Sequence, residues 1–359
     1  MIRFMEDFGS DSLAKIQVAG RWDLSGANSV TAAIGAGAGP FGESAYELSG
    51  IPNSGNAYLQ KTVIGNGTQM TTAYMCVWFK CSGFPVVNQE LMSIWDGATE
   101  QTSIGLTSTG QFQVFRGSVR TGTQIGGSST AIPVGQWGWL VFKVVLGTGT
   151  SGSMEVLWNN VAILGPTGSL NTANSGVAQA NGCVVGFTSG PTANNLGITL
   201  FYSDFILLDQ QGSVNNSIPT QSRVYFFLPT SNGSFAQFTP LANANWQEVS
   251  NNPDTGDSSY NSSSTVSQKD SFNHAAVASN VTTVLGVQTQ FTARIDDAGP
   301  HTTQCVLYDG TTEVDAPAAV ALSPTYQWVE AVQETNLTSG LAFTTSDINN
   351  LQFGYKLTT

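Results

Sequence analysis

Between Ala45 and Asp209 the chain alternates short apolar runs with clusters of Gly, Asn, Ser and Thr, at the spacing expected of a β-sandwich or barrel. No stretch carries the three-to-four-residue apolar period of a long amphipathic helix. Two runs, Ala73–Phe79 and Trp137–Val144, are apolar at both odd and even positions. Such runs predict strands covered on both faces, so they mark the centre of a first core. Ser108-Thr109-Gly110 divides Ser103–Leu106 from Phe112–Phe115, and Asn159-Asn160 divides Val156–Trp158 from Val161–Leu164. Gly and Asn accept the left-handed backbone of tight turns, so both places predict hairpins. A long apolar run, Ile198–Leu208, closes the series.

From 211 to 222 the chain turns polar, with Gly212 and Pro219, and reads as a linker. Beyond it, Val287, Phe291, Ala293 and Ile295 alternate with Gln288, Gln290, Thr292 and Arg294, which predicts a strand with one dry face. Leu351, Phe353, Tyr355 and Leu357 repeat the alternation. Asp309-Gly310 predicts a hairpin, and Ser346-Asp347 predicts a cap for a single helical turn. Asn251–Asp270 is almost wholly polar and reads as a long loop, a segment for contact with neighbours. The organisation expected is all-β: a β domain over 1–210, a linker over 211–222, and a smaller, mostly antiparallel β-sandwich over 223–359.

Composition narrows the function. With 41% hydrophobic and only 10% charged residues, the chain has the means to fold rather than stay disordered. A net charge of −12 without any basic run argues against nucleic acid as a partner. No apolar segment is long enough for a membrane span or a leader peptide, so assembly in a cytoplasm is expected. Cys76, Cys81, Cys183 and Cys305 lack metal-ligand spacing and read as buried thiols.

Catalytic constellations are hard to assemble from the residues considered. A sandwich glycosidase uses two carboxylates across a cleft, whereas the strand Met154-Glu155-Val156-Leu157-Trp158 offers the single acid Glu155. His274 and His301 are the only histidines, and Gly35–Pro40 has no lysine of a phosphate loop. No catalytic residue is expected. Trp22, Trp95, Trp137, Trp139, Trp158, Trp246 and Trp328 read mainly as core, with Trp95, beside Asp96-Gly97, the least secure of them.

One ordered series of short motifs carries a family likeness: Tyr46–Ser49, Ala73–Phe79, Leu91–Asp96, Gly105–Gly117, Gly135-Gln136-Trp137 and Val156–Val161. Together they resemble the concanavalin A-like lectin/laminin-G jelly roll as found in bacteriophage virion proteins. The segments Leu228–Gly233, Asp257–Tyr260, Val287–Arg294 with Asp296–Gly299, and Leu351–Tyr355 resemble the C-terminal part of phage structural proteins. The resemblance implies a non-enzymatic virion component, of tail, baseplate or head surface, that contacts other virion subunits and copies of itself as a homo-oligomer. Its alternative is a carbohydrate-binding adhesin that attaches a particle to host surface glycans. No cofactor is expected beyond calcium, for which the resemblance offers Asp96 and Asp204 as ligands.

Overall fold

The computed structural model describes residues 1–9, 13–16, 21–62, 64, 69–251, 255–316 and 318–359. Its residues form two compact units, one carrying the N-terminal strand and Trp22–Val224, the other Arg21 and Tyr225–Thr359. Within the polar stretch Asn251–Asp270, residues 252–254 lie outside the described residues.

The first unit is a β-sandwich of two antiparallel sheets. In the first sheet the strands run in the order Val161–Leu170, Gly152–Trp158, Gly138–Val145, Thr72–Cys81, Asn195–Leu208, Ala45–Ile51 and Thr31–Gly35, and Ile2–Glu6 also pairs with Asn195–Leu208. The second sheet runs Thr123–Ala131, Gln111–Arg116, Thr99–Leu106, Gln89–Asp96, Gly182–Phe187, Asn56–Lys61 and Leu24–Asn28. Both predicted hairpins are present: Asn159 and Asn160 turn with φ of 52° and 66°, and Gly110 turns with φ of 80°.

Strand parity explains the doubly apolar runs. Along Thr72–Cys81, Ala73, Met75, Val77, Phe79 and Cys81 enter the core between the sheets. Tyr74, Cys76 and Trp78 point the other way and are buried as well. What covers them includes the segment read as a linker. Thr72 Oγ1 donates to Gln210 Oε1 at 3.0 Å, Trp78 Nε1 to the Ser222 carbonyl at 2.9 Å, and Gln221 Nε2 to Asn159 Oδ1 at 3.2 Å. Residues 210–222 therefore lie along the outer face of the first sheet. Trp139, fully buried, packs against Trp78 on that same face, with the rings tilted and their centroids 5.7 Å apart.

The second unit is smaller and also almost all β. Its sheet orders Pro229–Ala236, Lys269–His274, Gln352–Leu357, Thr302–Tyr308 and Glu313–Asp315, and Val287–Ala293 pairs with Gln327–Gln333 as a separate two-stranded sheet. The helical turn Thr345–Asn350 is capped two residues earlier than the sequence implies. Thr344 Oγ1 accepts from the Asp347 N–H, and the Asp347 carboxylate accepts from the Thr344 N–H. Asp270, fully buried, organises this unit: its carboxylate accepts from the N–H groups of Gln237 and Phe238, the Asn245 amide and the Tyr355 hydroxyl. Among the described residues no helix is long and apolar enough to cross a membrane.

Candidate functional site

The neighbouring strands Gln89–Asp96 and Thr99–Leu106 pair with register shifts at Glu90/Met92 and Ile94/Trp95. Each shift inserts one residue and resets which side chains face the core. Leu91, Met92, Ile94, Ile104 and Leu106 enter the core, while Glu90, Ser93, Trp95 and Glu100 gather on the opposite face. That face is roofed by loops. Gly117, with φ of 78°, donates its N–H to the Gln101 carbonyl at 2.9 Å and accepts from Ser103 Oγ at 2.6 Å. At Gly105 the missing side chain leaves room for Val119, whose Cγ2 would lie 2.9 Å from any Cβ there.

Glu90 and Glu100 are 3% and 9% exposed, in strands otherwise built for burial. Glu90 Oε2 accepts from the Val119 N–H at 3.1 Å. The other oxygen of Glu90, Oε1, is buried without a donor, and so is Oε1 of Glu100. Burial pushes the Glu90 carboxyl well above the ordinary carboxylate range, and the nearby Glu100 charge pushes it further. Burial raises Glu100 too, against the lowering effect of its contacts with Ser93 and Glu90. Two carboxylates cannot donate to each other, but one proton on the pair turns either into a donor. Both carboxyls therefore hold a proton more tightly than exposed ones do.

Glu90 also forms part of the wall of a cleft of about 290 Å³, with Val87, Asn88, Val119, Arg120, Ser189, Gly190, Pro191 and Thr192. Buried Asn195 fixes one wall: its Oδ1 accepts from the Val86 and Val87 N–H groups, and its Nδ2 donates to the Val87 carbonyl and Gln89 Oε1. Exposed Arg120 is steadied at the mouth by Nη1, which donates to the carbonyls of Asn53 at 3.2 Å and Gly190 at 3.1 Å. The cleft presents a ligand with the Arg120 guanidinium and the polar groups of Asn88, Ser189 and Thr192.

The residues singled out in the sequence lie elsewhere. Asp96 ends its strand in the second sheet, partly exposed, whereas Asp204 is fully buried in the first. Asp204 Oδ1 accepts from the Val224 N–H at 3.0 Å while Oδ2 has no donor, and burial raises its carboxyl to about 8. Among the described residues, no group of three or more His, Cys, Asp or Glu is placed to hold a metal. Glu155 is a cross-strand partner of Lys143, with which it forms an ion pair at 3.6 Å. His274 and His301 belong to the second unit, His274 between the rings of Phe227 and Phe353, His301 beside Asp297. Trp95 is half-buried on the cleft's sheet face, its Nε1 donating to Ser93 Oγ at 2.8 Å. Trp137 meets Phe201 with centroids 6.2 Å apart, and the Lys80 ammonium covers both rings. All four cysteines are buried and free, with thiols raised by burial.

No protein-family model matches the chain, and no curated protein matches it in sequence. Solved structures do match. An endo-β-1,4-glucuronan lyase from the fungus Trichoderma reesei is 12% identical with a TM-score of 0.42, over 58% of this chain and 95% of its own. The alginate lyase Aly36B is 13% identical with a TM-score of 0.42, over 57% and 96%. A sialidase is 12% identical with a TM-score of 0.39, over 58% of this chain and 18% of its own.

At such identities the likeness extends to the sandwich fold alone. The structures named are two polysaccharide lyases and a sialidase rather than virion components, and the reading as a bacteriophage structural protein is withdrawn. The expectation of no enzymatic activity falls with it. That expectation leaned on the isolation of Glu155, and the paired acids of this fold are instead Glu90 and Glu100.

Proposed function

We propose that the first unit is a carbohydrate-active jelly roll that binds a glycan in the cleft above Glu90. The observation that carries this reading is the cleft itself, with the polar residues Asn88, Glu90, Ser189 and Thr192 in its wall and the exposed Arg120 beside them. Of the alternatives drawn from the sequence, the glycan-binding one agrees with this geometry. A glycan array probed with the full chain tests it. Binding to a defined glycan class, weakened at least about tenfold in Arg120→Ala by the loss of one hydrogen bond from a charged group, is expected. No glycan bound, or unchanged binding by the variant, rejects the reading.

A second reading, that the cleft also cleaves its ligand, is favoured by the neighbouring carboxyls of Glu90 and Glu100. General acid catalysis needs a carboxyl that keeps its proton above the ordinary range, and burial beside a like charge raises Glu90 in that direction. New chain ends released from the bound glycan by the native chain, and absent with Glu90→Gln, support it. An intact glycan after prolonged incubation rejects it.

A further inference from the structure

We infer that the second unit carries an acid latch: its two histidines, with both ring nitrogens protonated, pin the strand Gln352–Leu357 at its two ends, and the strand loosens as they lose protons. That strand is the middle one of five, paired on one side with Lys269–His274 and on the other with Thr302–Tyr308. Losing it splits the sheet, so the ties at its ends bear on the whole unit.

The chain has two histidines, and each reaches one end of this strand. His274 Nε2 lies 3.0 Å from the Ile348 carbonyl, in the helical turn that leads into the strand, and its Nδ1 lies 2.7 Å from the Ala275 carbonyl. Phe227 and Phe353 pack against the His274 ring, with centroids 5.0 and 6.0 Å away, and hold it at these carbonyls. His301 Nδ1 lies 3.0 Å from the backbone oxygen of Thr359, just past the strand, and its Nε2 lies 3.0 Å from Asp297 Oδ2. All four partners are acceptors. A neutral imidazole donates at one nitrogen and turns a lone pair toward the other acceptor, whereas the imidazolium donates at both. Each latch is therefore complete only with the charged ring.

The groups that face the rings set the direction. Among the described residues no charged group pairs with His274, which meets carbonyls and phenyl rings. His301 faces the Asp297 carboxylate and the Asp296 charge. The Thr359 oxygen, first, and then Asp297 make it hold its proton more tightly than a free histidine, while burial works against them. The unfolded chain releases that proton near pH 6.5, so the stabilisation from His301 is complete below about 6.5 and is lost as pH rises past the folded value.

Hydrogen exchange of the full chain tests the latch, read by mass spectrometry over residues 344–359 and corrected for the chemical exchange rate. The range is about pH 5.5 to 8, in which histidine changes charge. Protection of Gln352–Leu357 should fall at least about tenfold across it, since each latch loses one hydrogen bond. The fall should be smaller in His274→Gln and in His301→Gln, and absent in the double variant, because Gln has no proton to lose in this range. Circular dichroism shows whether the variants fold. If they do not, the ring nitrogen signals of the native chain decide, and ring deprotonation and loss of protection should share one midpoint. Level protection in the native chain overturns the inference, as does a fall of equal size in a folded double variant. Ring deprotonation at a pH where protection holds steady overturns it too.

Discussion

Replacing Asp204 with Asn tests how well burial alone accounts for the charge state of this fold. Asp204 sits in the bulged part of strand Asn195–Leu208 with φ of 52°, where Asn is as well tolerated as Asp. The amide oxygen of Asn can still accept from the Val224 N–H, so the variant removes the titration and little else. In the native chain burial first raises this carboxyl to about 8; the Val224 N–H and Arg223 pull it back, while Glu43 and Asp7 push it up. The folded state thus holds the proton more tightly than the unfolded state, whose carboxyl titrates near 4. The stabilisation is complete below that value and is lost as pH rises through about 8. At 1.36 kcal/mol per pKa unit, the native chain should lose about 4 kcal/mol between pH 5 and 9 from this group alone. Urea unfolding followed by the tryptophan fluorescence of the first unit gives the stabilities. Across that range the difference between the two chains should move by about 4 kcal/mol in favour of the Asp204→Asn variant. Parallel pH profiles would refute the argument, because they would mean that Asp204 is already ionised in the fold at low pH.

Other substitutions separate core, hub and surface. Trp139→Ala should cost about 3–5 kcal/mol and Glu155→Gln under about 1 kcal/mol, since the first empties a fully buried site and the second removes a partly exposed ion pair. Equal losses in thermal unfolding would place the core wrongly. Asp270→Ala should cost more than about 3 kcal/mol by stranding several donors at once, and proteolysis of the second unit should speed up accordingly. Asn160→Val should cost about 1–2 kcal/mol, because φ of 66° crowds a β-branched side chain, and an unchanged melting temperature would contradict that hairpin.

Most of the fold is legible in the sequence because burial and turn chemistry act locally. The doubly apolar runs became strands covered on both sides, and Asn159-Asn160 became a tight turn, each for the reason the residues themselves give. The helical cap shifted from Ser346 to Thr344, because a capping box needs the acid at the third helical position, which Asp347 supplies for Thr344. Residues 210–222 read as a linker because a covering segment satisfies its partners through scattered side-chain and carbonyl contacts, which leave no period in the sequence. The cleft was hidden for a related reason. Glu90 and Glu100 stand just outside the apolar runs Leu91–Ile94 and Ser103–Leu106 that mark their strands. Two register shifts then turn them onto one face, and register is set by pairing rather than by local composition. The signal available was coarse: acids are scarce in this chain, so two of them in consecutive strands are an uncommon coincidence. The spacing of a carboxylate pair along a single strand leads instead to Glu155, which stands alone there.

The central claim, that a glycan occupies the cleft over the second sheet, is tested most directly by hydrogen exchange of the full chain with and without the best glycan of the array. The account predicts slowed exchange confined, within the first unit, to the cleft-forming segments around Val87–Glu90, Gly117–Arg120 and Ser189–Thr192. Slowing on the outer face of the first sheet around Trp137 and Phe201, with those three segments unchanged, would contradict it.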